Sequence, residues 1–447
     1  MQLGSFSTQK VISSGFANEI ITPNVGLQLA GFLGERKAIG THDDLKVRVF
    51  YMSLSNKKHL LLIVFDLLEV PREFSSKIKA TLTKKFGIEE DKIIISATHT
   101  HSGPEIREFS FKVDKGSDEL QFENGEKLIE FLKEKSIYAV SKAIKKSTPG
   151  QLEFGSFLMK NKICGNRREQ EDPQKVEVKF LLFKGHDGKK ALIYNLGCHP
   201  TVLHESNVLY SADFPGAVEK HLLDSIKNLE FVMFINGAAG DMSTRFYRKA
   251  SDFDEVKRIG TILANEIVNN INNTEQVLNE NFTLESAIRS IRLNLKEPMP
   301  PEIIAGLEQK ASTDLEKARA NNPVDLRKYE ARLEGIKFLK LSSDFLNKNR
   351  TINSVLQLIK IGNVAFVSIP GELFSSLGHK IELELSPLKV ILVGYANDYI
   401  GYILDEESYE KNEYESFTTF LAKGEGERII NEIVSMKDML TFKEKNQ

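Results

Sequence analysis

Ile93-Ile94-Ile95-Ser96-Ala97-Thr98-His99-Thr100-His101-Ser102-Gly103-Pro104 is an apolar, β-branched run that ends in His-x-His and then a turn. Such a run fits a buried strand. In an extended chain, residues two apart point the same way, so His99 and His101 are expected side by side where that strand stops. Imidazoles are common metal ligands and acid–base groups at physiological pH. Two polar residues at an exposed strand end would leave the same mark, so the rest of the chain has to decide.

Upstream, Leu60 to Phe65 reads as a buried strand ending at Asp66. Residues 72–86 carry Phe74, Ile78 and Leu82 at helical spacing, and Gly87 stops that helix. With the His-x-His strand this makes a βαβ unit, whose crossover gives parallel neighbours. Further upstream, residues 1–14 read as a loose arm, the Phe16–Leu33 stretch holds a strand running into the Gly-rich Gly26–Gly34 loop, and Leu45–Leu54 reads as a strand. Downstream, residues 126–146 read as a helix. The pattern then repeats as an apolar strand followed by a polar or Gly-rich turn. Ala191–Asn195 leads to Cys198-His199-Pro200. Phe231–Ile235 leads to Asn236 through Ser243. Val364–Ile369 leads to Pro370-Gly371-Glu372 and a helix, and Val390–Val393 leads to Asn397-Asp398-Tyr399 and Tyr402. In open α/β sheets, ligands bind beyond the carboxyl ends of strands. Residues 301–345 break the rhythm with two charged, helically spaced halves around Asn321-Asn322-Pro323, an α-hairpin that would serve as a cap, an interface arm or a solvated insertion. The expected fold is α/β: a mixed, largely parallel sheet layered with helices, in one domain of 1–447, with the hairpin inserted.

The chain has 447 residues, 41% of them hydrophobic, enough for a full core. Its formal net charge of −2 supplies no global basic field for nucleic acid. Two cysteines, Cys164 and Cys198, imply no disulfide framework, although each lies near a motif and they could meet in space. No apolar run approaches the roughly 20 residues of a membrane helix. The polar start, Met1 to Lys10, lacks a signal-peptide core. The expected location is cytoplasmic, or periplasmic or secreted if a leader has been removed.

Catalytic zinc sites commonly use three N or O ligands and keep a position open. His99, His199 and Glu372 are the candidates. Pro200 restricts His199 to an extended backbone, which suits a residue projecting from a strand end. Each also has a structural reading: a core histidine can satisfy its nitrogens internally, and Glu372 could favour a helix start. His101 could shuttle a proton, and Arg167 could hold an oxyanion or a substrate carboxylate, whereas Arg168 could be a surface charge. Ser243 sits in a Gly-rich loop, but not in a Gly-x-Ser-x-Gly elbow, so a serine triad is not supported. Asp213 would orient a ligand histidine or cap the helix near Pro215.

In these residues the chain resembles the neutral/alkaline, non-lysosomal ceramidase family, from Phe16–Pro23 to about Tyr414-Glu415. The motifs are Ala97–Pro104, Asn166-Arg167, Cys198-His199-Pro200-Thr201, Asn236–Ser243, Pro370-Gly371-Glu372, and Asn397–Tyr402 followed by Tyr409 and Tyr414-Glu415. The resemblance implies a zinc amidase of sphingolipid metabolism that cleaves the N-acyl bond of ceramide. It implies Zn2+ on His99, His199, Glu372 and a tyrosine, matched to Tyr402 with Tyr399 as the other candidate. His101, Arg167 and Tyr414 fall where the family binds the scissile carbonyl and its oxyanion, and Ser243 on the serine of its Gly-Asp-x-Ser loop. The chain departs from the family in three places. The expectation is that it stops too early to hold the family's immunoglobulin-like C-terminal domain; Thr244-Arg245 stand where ceramidases tend to have proline, and the 301–345 hairpin is expected to reshape the mouth of the site. The expectation is therefore a zinc-dependent amide hydrolase of N-acyl lipids. The alternatives are the same core acting on a polar substrate such as an acylated glycan, and a metal-binding module without turnover.

Overall fold

A computed structural model describes residues 12–54, 58–106, 119–169, 174–277, 282–321 and 326–444. The larger sheet runs in the spatial order Leu229–Asn236, Lys190–Leu196, Glu177–Gly185, Thr148–Leu158, Ile12–Ile20, Lys46–Leu54, Lys58–Phe65, Ile93–Ala97, with Glu275–Gln276 paired off this path. The sheet is mixed and layered with helices, but it is not largely parallel. Only the outermost step on each side is parallel, and the steps between are antiparallel. Parallel strands need a helical crossover, and each of the two parallel steps has one: α1 (Arg72–Phe86) before Ile93–Ala97, and α3 (Phe214–Ser225) before Leu229–Asn236. A tight reversal at Gly188 (φ +85°) joins Glu177–Gly185 to Lys190–Leu196 antiparallel.

A second sheet orders Leu284–Asn294, Thr351–Ile361, Val364–Ser368 and Lys389–Val393. Its last step is parallel, again across a helix, α7 (Ser375–Glu384). The βαβ reading of residues 60–97 holds in detail. Leu61 pairs with Ile93 in parallel register, and Gly87 ends α1 at φ +70°. The sheets pack face to face. Phe50, Leu62, Ile94, Phe231 and Met233 of one meet Ile359, Phe366, Ile391 and Val393 of the other. Strand alternation sends Val49, Ile63 and Ile95 to the opposite face, against α1 and α2 (Glu119–Lys145) through Ile78, Leu82, Leu132 and Val140. α3 and α4 (Phe253–Asn270) cover the same sheet near Leu192 and Phe234. α5 (Pro301–Asn321), α6 (Leu326–Lys348), α7 and the Glu425–Glu444 helix cover the smaller sheet. The layers therefore run helix, sheet, sheet, helix.

Two local expectations change. Ile12–Ser14 are not a loose arm, because they pair with Leu54–Met52 on one side and Gly150–Thr148 on the other; residues 1–11 lie outside the described residues. The 301–345 insertion is helical in both halves, as α5 and α6, and it packs on the smaller sheet through Ile304, Ala311, Ile336 and Leu339. Among the described residues, no helix is long and apolar enough to cross a membrane.

Candidate metal centre

The three parallel crossovers put the carboxyl ends of their strands on one side of the molecule. His99 follows Ile93–Ala97, His199 follows Lys190–Leu196, and Glu372 follows Val364–Ser368. Their side chains converge there. His199 Nε2 lies 3.0 Å and His99 Nε2 3.6 Å from Glu372 Oε2. His101 Nε2 lies 3.3 Å from His99 Nε2. A tetrahedral ion with arms of about 2.0–2.1 Å separates its ligand atoms by roughly 3.3 Å. The spacings therefore match a metal-binding set, and one ligand atom from each of His99, His101 and His199 lies within 4.8 Å of the others.

Strand alternation is not what aims the two histidines. The strand ends at Ala97, and His99 adopts a left-handed backbone, φ +69°. Such a conformation costs on the order of 1–3 kcal/mol and persists where its surroundings fix it. His99 N–H donates to Leu67 O at 2.9 Å, and the ring stacks on Tyr395 at 3.9 Å. Tyr395 and Asn397 are left-handed as well, φ +53° and +63°. Asn397 Oδ1 accepts from Ile95 N–H at 3.1 Å. Asn236 ties the two histidine loops together: its Nδ2 donates to Thr98 O at 3.1 Å, and its Oδ1 accepts from Cys198 N–H at 3.2 Å.

Backbone carbonyls fix the tautomers. His99 Nδ1 meets Leu68 O at 2.7 Å, and His199 Nδ1 meets Ala239 O at 2.7 Å. Each Nδ1 must carry the proton, which leaves the Nε2 lone pair facing Glu372. Ligand histidines are normally held this way. Burial holds the His99 imidazolium pKa down to about 3, and that of His101 well below its usual value. Burial pushes the Glu372 carboxyl up, but His99, His199 and the Tyr399 hydroxyl outweigh it and hold it at about 2. At neutral pH the cluster is one carboxylate facing imidazole lone pairs, which a cation would satisfy. His101 differs from the other two, because its buried Nδ1 has no hydrogen-bond partner among the described residues.

Both candidate tyrosines lie at the centre. Tyr399 OH donates to Glu372 Oε1 at 2.5 Å. Tyr402 sits in register with Glu372 across a two-strand parallel ribbon, and its hydroxyl accepts from Arg167 Nη2 at 3.0 Å. Arg167 is locked by Glu415 Oε1 at 2.7 Å. Burial disfavours its charge, but Tyr402, Glu415 and Glu372 hold its pKa well above the usual value. Tyr414 stands edge-on to Tyr402, 5.9 Å between rings, with the Arg167 guanidinium 5.9 Å from its own ring.

The other residues singled out in the sequence have the following surroundings. Ser243 pairs through its backbone with Gly165 and forms a bridge with His199, while its hydroxyl accepts from Arg245 N–H at 3.2 Å. Asp213 caps α3 and accepts from Phe214, Leu203 and Val202 N–H groups; the histidines are oriented by carbonyls, not by it. Glu372 does not start a helix: α7 begins at Ser375, whose N–H and hydroxyl donate to Asp241. Arg168 is no bare surface charge, since it donates to Ser408 Oγ at 2.8 Å and lies over the Phe374 ring. Cys164 and Cys198 are both buried, free thiols that lie together, and burial pushes the Cys198 thiol pKa well up. The sequence reading gave no role to Asn236, Tyr395 or Asp241. For Asn236 and Asp241 the only trace is an asparagine and an aspartate beside the glycines of a turn, and Tyr395 leaves none.

No family model matches the chain. Neutral ceramidase of Pseudomonas aeruginosa is 24% identical over 450 aligned residues, which cover 86% of this chain and 65% of that protein. The chain thus spans about two-thirds of the length of that curated relative. A crystal structure of neutral ceramidase from Pseudomonas aeruginosa superposes with a TM-score of 0.75 at 20% identity, over 95% of this chain and 74% of that one. A ceramidase complexed with C2 superposes with a TM-score of 0.74 at 18% identity, over 96% of this chain and 76% of that one. The likeness to the neutral ceramidases seen in the separate motifs therefore extends along most of the sequence, and the chain has the neutral ceramidase fold.

Proposed function

We propose that this chain is a zinc-dependent amide hydrolase that releases a fatty acid from an N-acyl sphingoid or similar N-acyl lipid. The observation that carries the reading is the convergence of His99, His199 and Glu372, with both Nδ1 atoms pinned by carbonyls and both Nε2 lone pairs turned to one carboxylate oxygen. These three, with Tyr402 beside Glu372, would hold the ion. When bound, zinc would supply Lewis acidity and lower the pKa of a water towards ~7.

The other groups supply the remaining chemistry. His101, neutral at working pH and with no carbonyl on Nδ1, is free to take the proton of an attacking water. Arg167, fixed by Glu415, and Tyr414, kept protonated by burial, face the same space and would donate to the oxyanion. The chemistry is then amide hydrolysis: water adds to the carbonyl, and the amine leaves with a proton from His101.

His99→Ala or His199→Ala should lose the metal and the activity with the fold retained. His101→Ala should keep the metal and lose on the order of 10²–10⁴ in kcat. Metal analysis and hydrolysis of a short-chain N-acyl sphingosine read both, and full zinc occupancy in the His99 and His199 variants would defeat the assignment.

A second reading puts the same core on a more polar acyl substrate, such as an acylated glycan. It is favoured by the charge around His204, whose ring packs 5.2 Å from Phe32, itself 4.9 Å from His101. Burial, with Arg327 and Arg248 nearby, holds the His204 pKa at about 4. A hydrolysis screen across N-acyl lipids and acylated glycans separates the two readings.

A further inference from the structure

The Gly-rich hairpin at residues 26–38 folds against the segment that carries His101. Ala30 N–H donates to Gly103 O at 3.0 Å, Glu105 N–H donates to Gln28 O at 2.8 Å, and Leu29 bridges to Pro104. At the tip, Gly31 has φ +96°, and a Cβ there would lie 2.3 Å from His101 Nδ1 and 2.4 Å from Cγ. The backbone is therefore flush with the imidazole, and only glycine permits it. Phe32 meets the ring edge-on at 4.9 Å. Arg36 closes the arrangement. It is 7% exposed, and its Nη2 donates to Ala30 O at 2.6 Å and to His101 O at 2.7 Å, while Nη1 donates to Asn207 O at 3.1 Å. Its guanidinium lies 4.8 Å from the Phe32 ring centroid. One planar fork thus joins the hairpin tip, the His101 main chain and the Asn207 loop, a geometry that an ammonium on a flexible stem does not reproduce.

We propose that Arg36, with the Gly31–Phe32 tip it braces, is a positioning clamp for His101. The clamp holds His101 from its main chain and ring face, where His99 and His199 are held by carbonyls on Nδ1. This rests on His101 acting as the proton acceptor in the reading above. Arg36 is a positioning residue and touches no reacting atom.

The test uses the zinc-loaded full chain with Arg36→Met, Arg36→Lys and Gly31→Ala. Misplacing a catalytic group by about 1 Å costs up to about 100-fold. Arg36→Met and Gly31→Ala should each lower kcat about tenfold or more, with KM and zinc content unchanged, and Arg36→Lys should recover only part. The decisive arm is the cycle with His101→Ala: in that background, Arg36→Met should change kcat less than twofold. A full, additive loss there would overturn the clamp, as would a loss that follows zinc content. Should the chain hydrolyse no N-acyl substrate, the hydrolase reading fails by itself, and ring NMR decides the clamp. Arg36→Met must then shift the His101 imidazole signals and leave those of His199 in place; unmoved His101 signals would overturn it.

Discussion

The cost of the site is concentrated in single residues. His99, Tyr395, Asn397 and Asp213 all have positive φ without being glycine, and His99 stacks on Tyr395 beside Glu372. Side chains that bond across loops fix those conformations, and Asn236 is the clearest case. It donates from its amide to Thr98 O and accepts at its carbonyl from Cys198 N–H, the residues immediately preceding His99 and His199. Asn236→Ala removes both bonds at once and leaves a buried donor and acceptor unpaired, at about 1–3 kcal/mol each. Because those bonds set the distance between the two imidazoles, the variant should also weaken zinc binding by roughly 10–100-fold, as loss of an outer partner does elsewhere. Competition against a chromophoric chelator measures this, and an unchanged zinc affinity in a folded variant would refute the coupling. At this scale the sequence was legible for the residues that converge and not for their supports. His99, His199 and Glu372 stand out as histidines and a glutamate in turns after apolar strands. A supporting asparagine looks like any turn asparagine, because its partners lie 138 and 38 residues away.

Elements were legible where local pattern and pairing agree. The strand, helix and strand of residues 60–97 announce themselves through periodicity and Gly87, and they fold as read. The antiparallel centre of the large sheet did not announce itself, because an apolar strand looks the same whichever way its neighbour runs; only the tight links from Leu54 to Lys58 and from Gly185 to Lys190 fix a direction locally. The helical hairpin was visible as a pattern, while its position was not. It reaches the site through Gly335 of α6, where a Cβ would come within 3.0 Å of Tyr414 O and 3.1 Å of Tyr414 Cα. Gly335→Val would drive α6 off the short helix Tyr414–Thr418 or push that helix inward. Overpacking of this kind costs about 1–3 kcal/mol. Tyr414 shares the Arg167 guanidinium with Tyr402, so kcat should fall by about tenfold or more while zinc content stays whole. Turnover and metal analysis on the folded variant check this, and wild-type kcat would mean that the hairpin only covers the smaller sheet.

For the whole molecule, the buried cluster is a liability unless a cation satisfies it. Four layers of structure bring a carboxylate and three imidazoles to one point, far from bulk water. Burial keeps His99 neutral down to about pH 3, against an ordinary value of 6.5, and it lowers His101 in the same direction. Between those limits the unfolded chain takes up protons that the folded chain refuses. Stability present above pH 6.5 must therefore drain away as pH falls towards 3. Glu372, held at about 2 against 4.5, extends the loss in the same direction at lower pH. On the proposed function zinc would take the same lone pairs, so it should raise the melting temperature at neutral pH, by a stabilisation of about 2.7 kcal/mol at a hundredfold excess over Kd. Protons compete for those atoms, so the zinc-dependent increment should shrink as the pH is lowered. Calorimetry from pH 8 to pH 4, with zinc and with chelator, tests both slopes at once. The chelated protein should lose stability with acid, and the gap between the two curves should close. A gap that stays constant across that range would place the bound ion on groups other than these histidines.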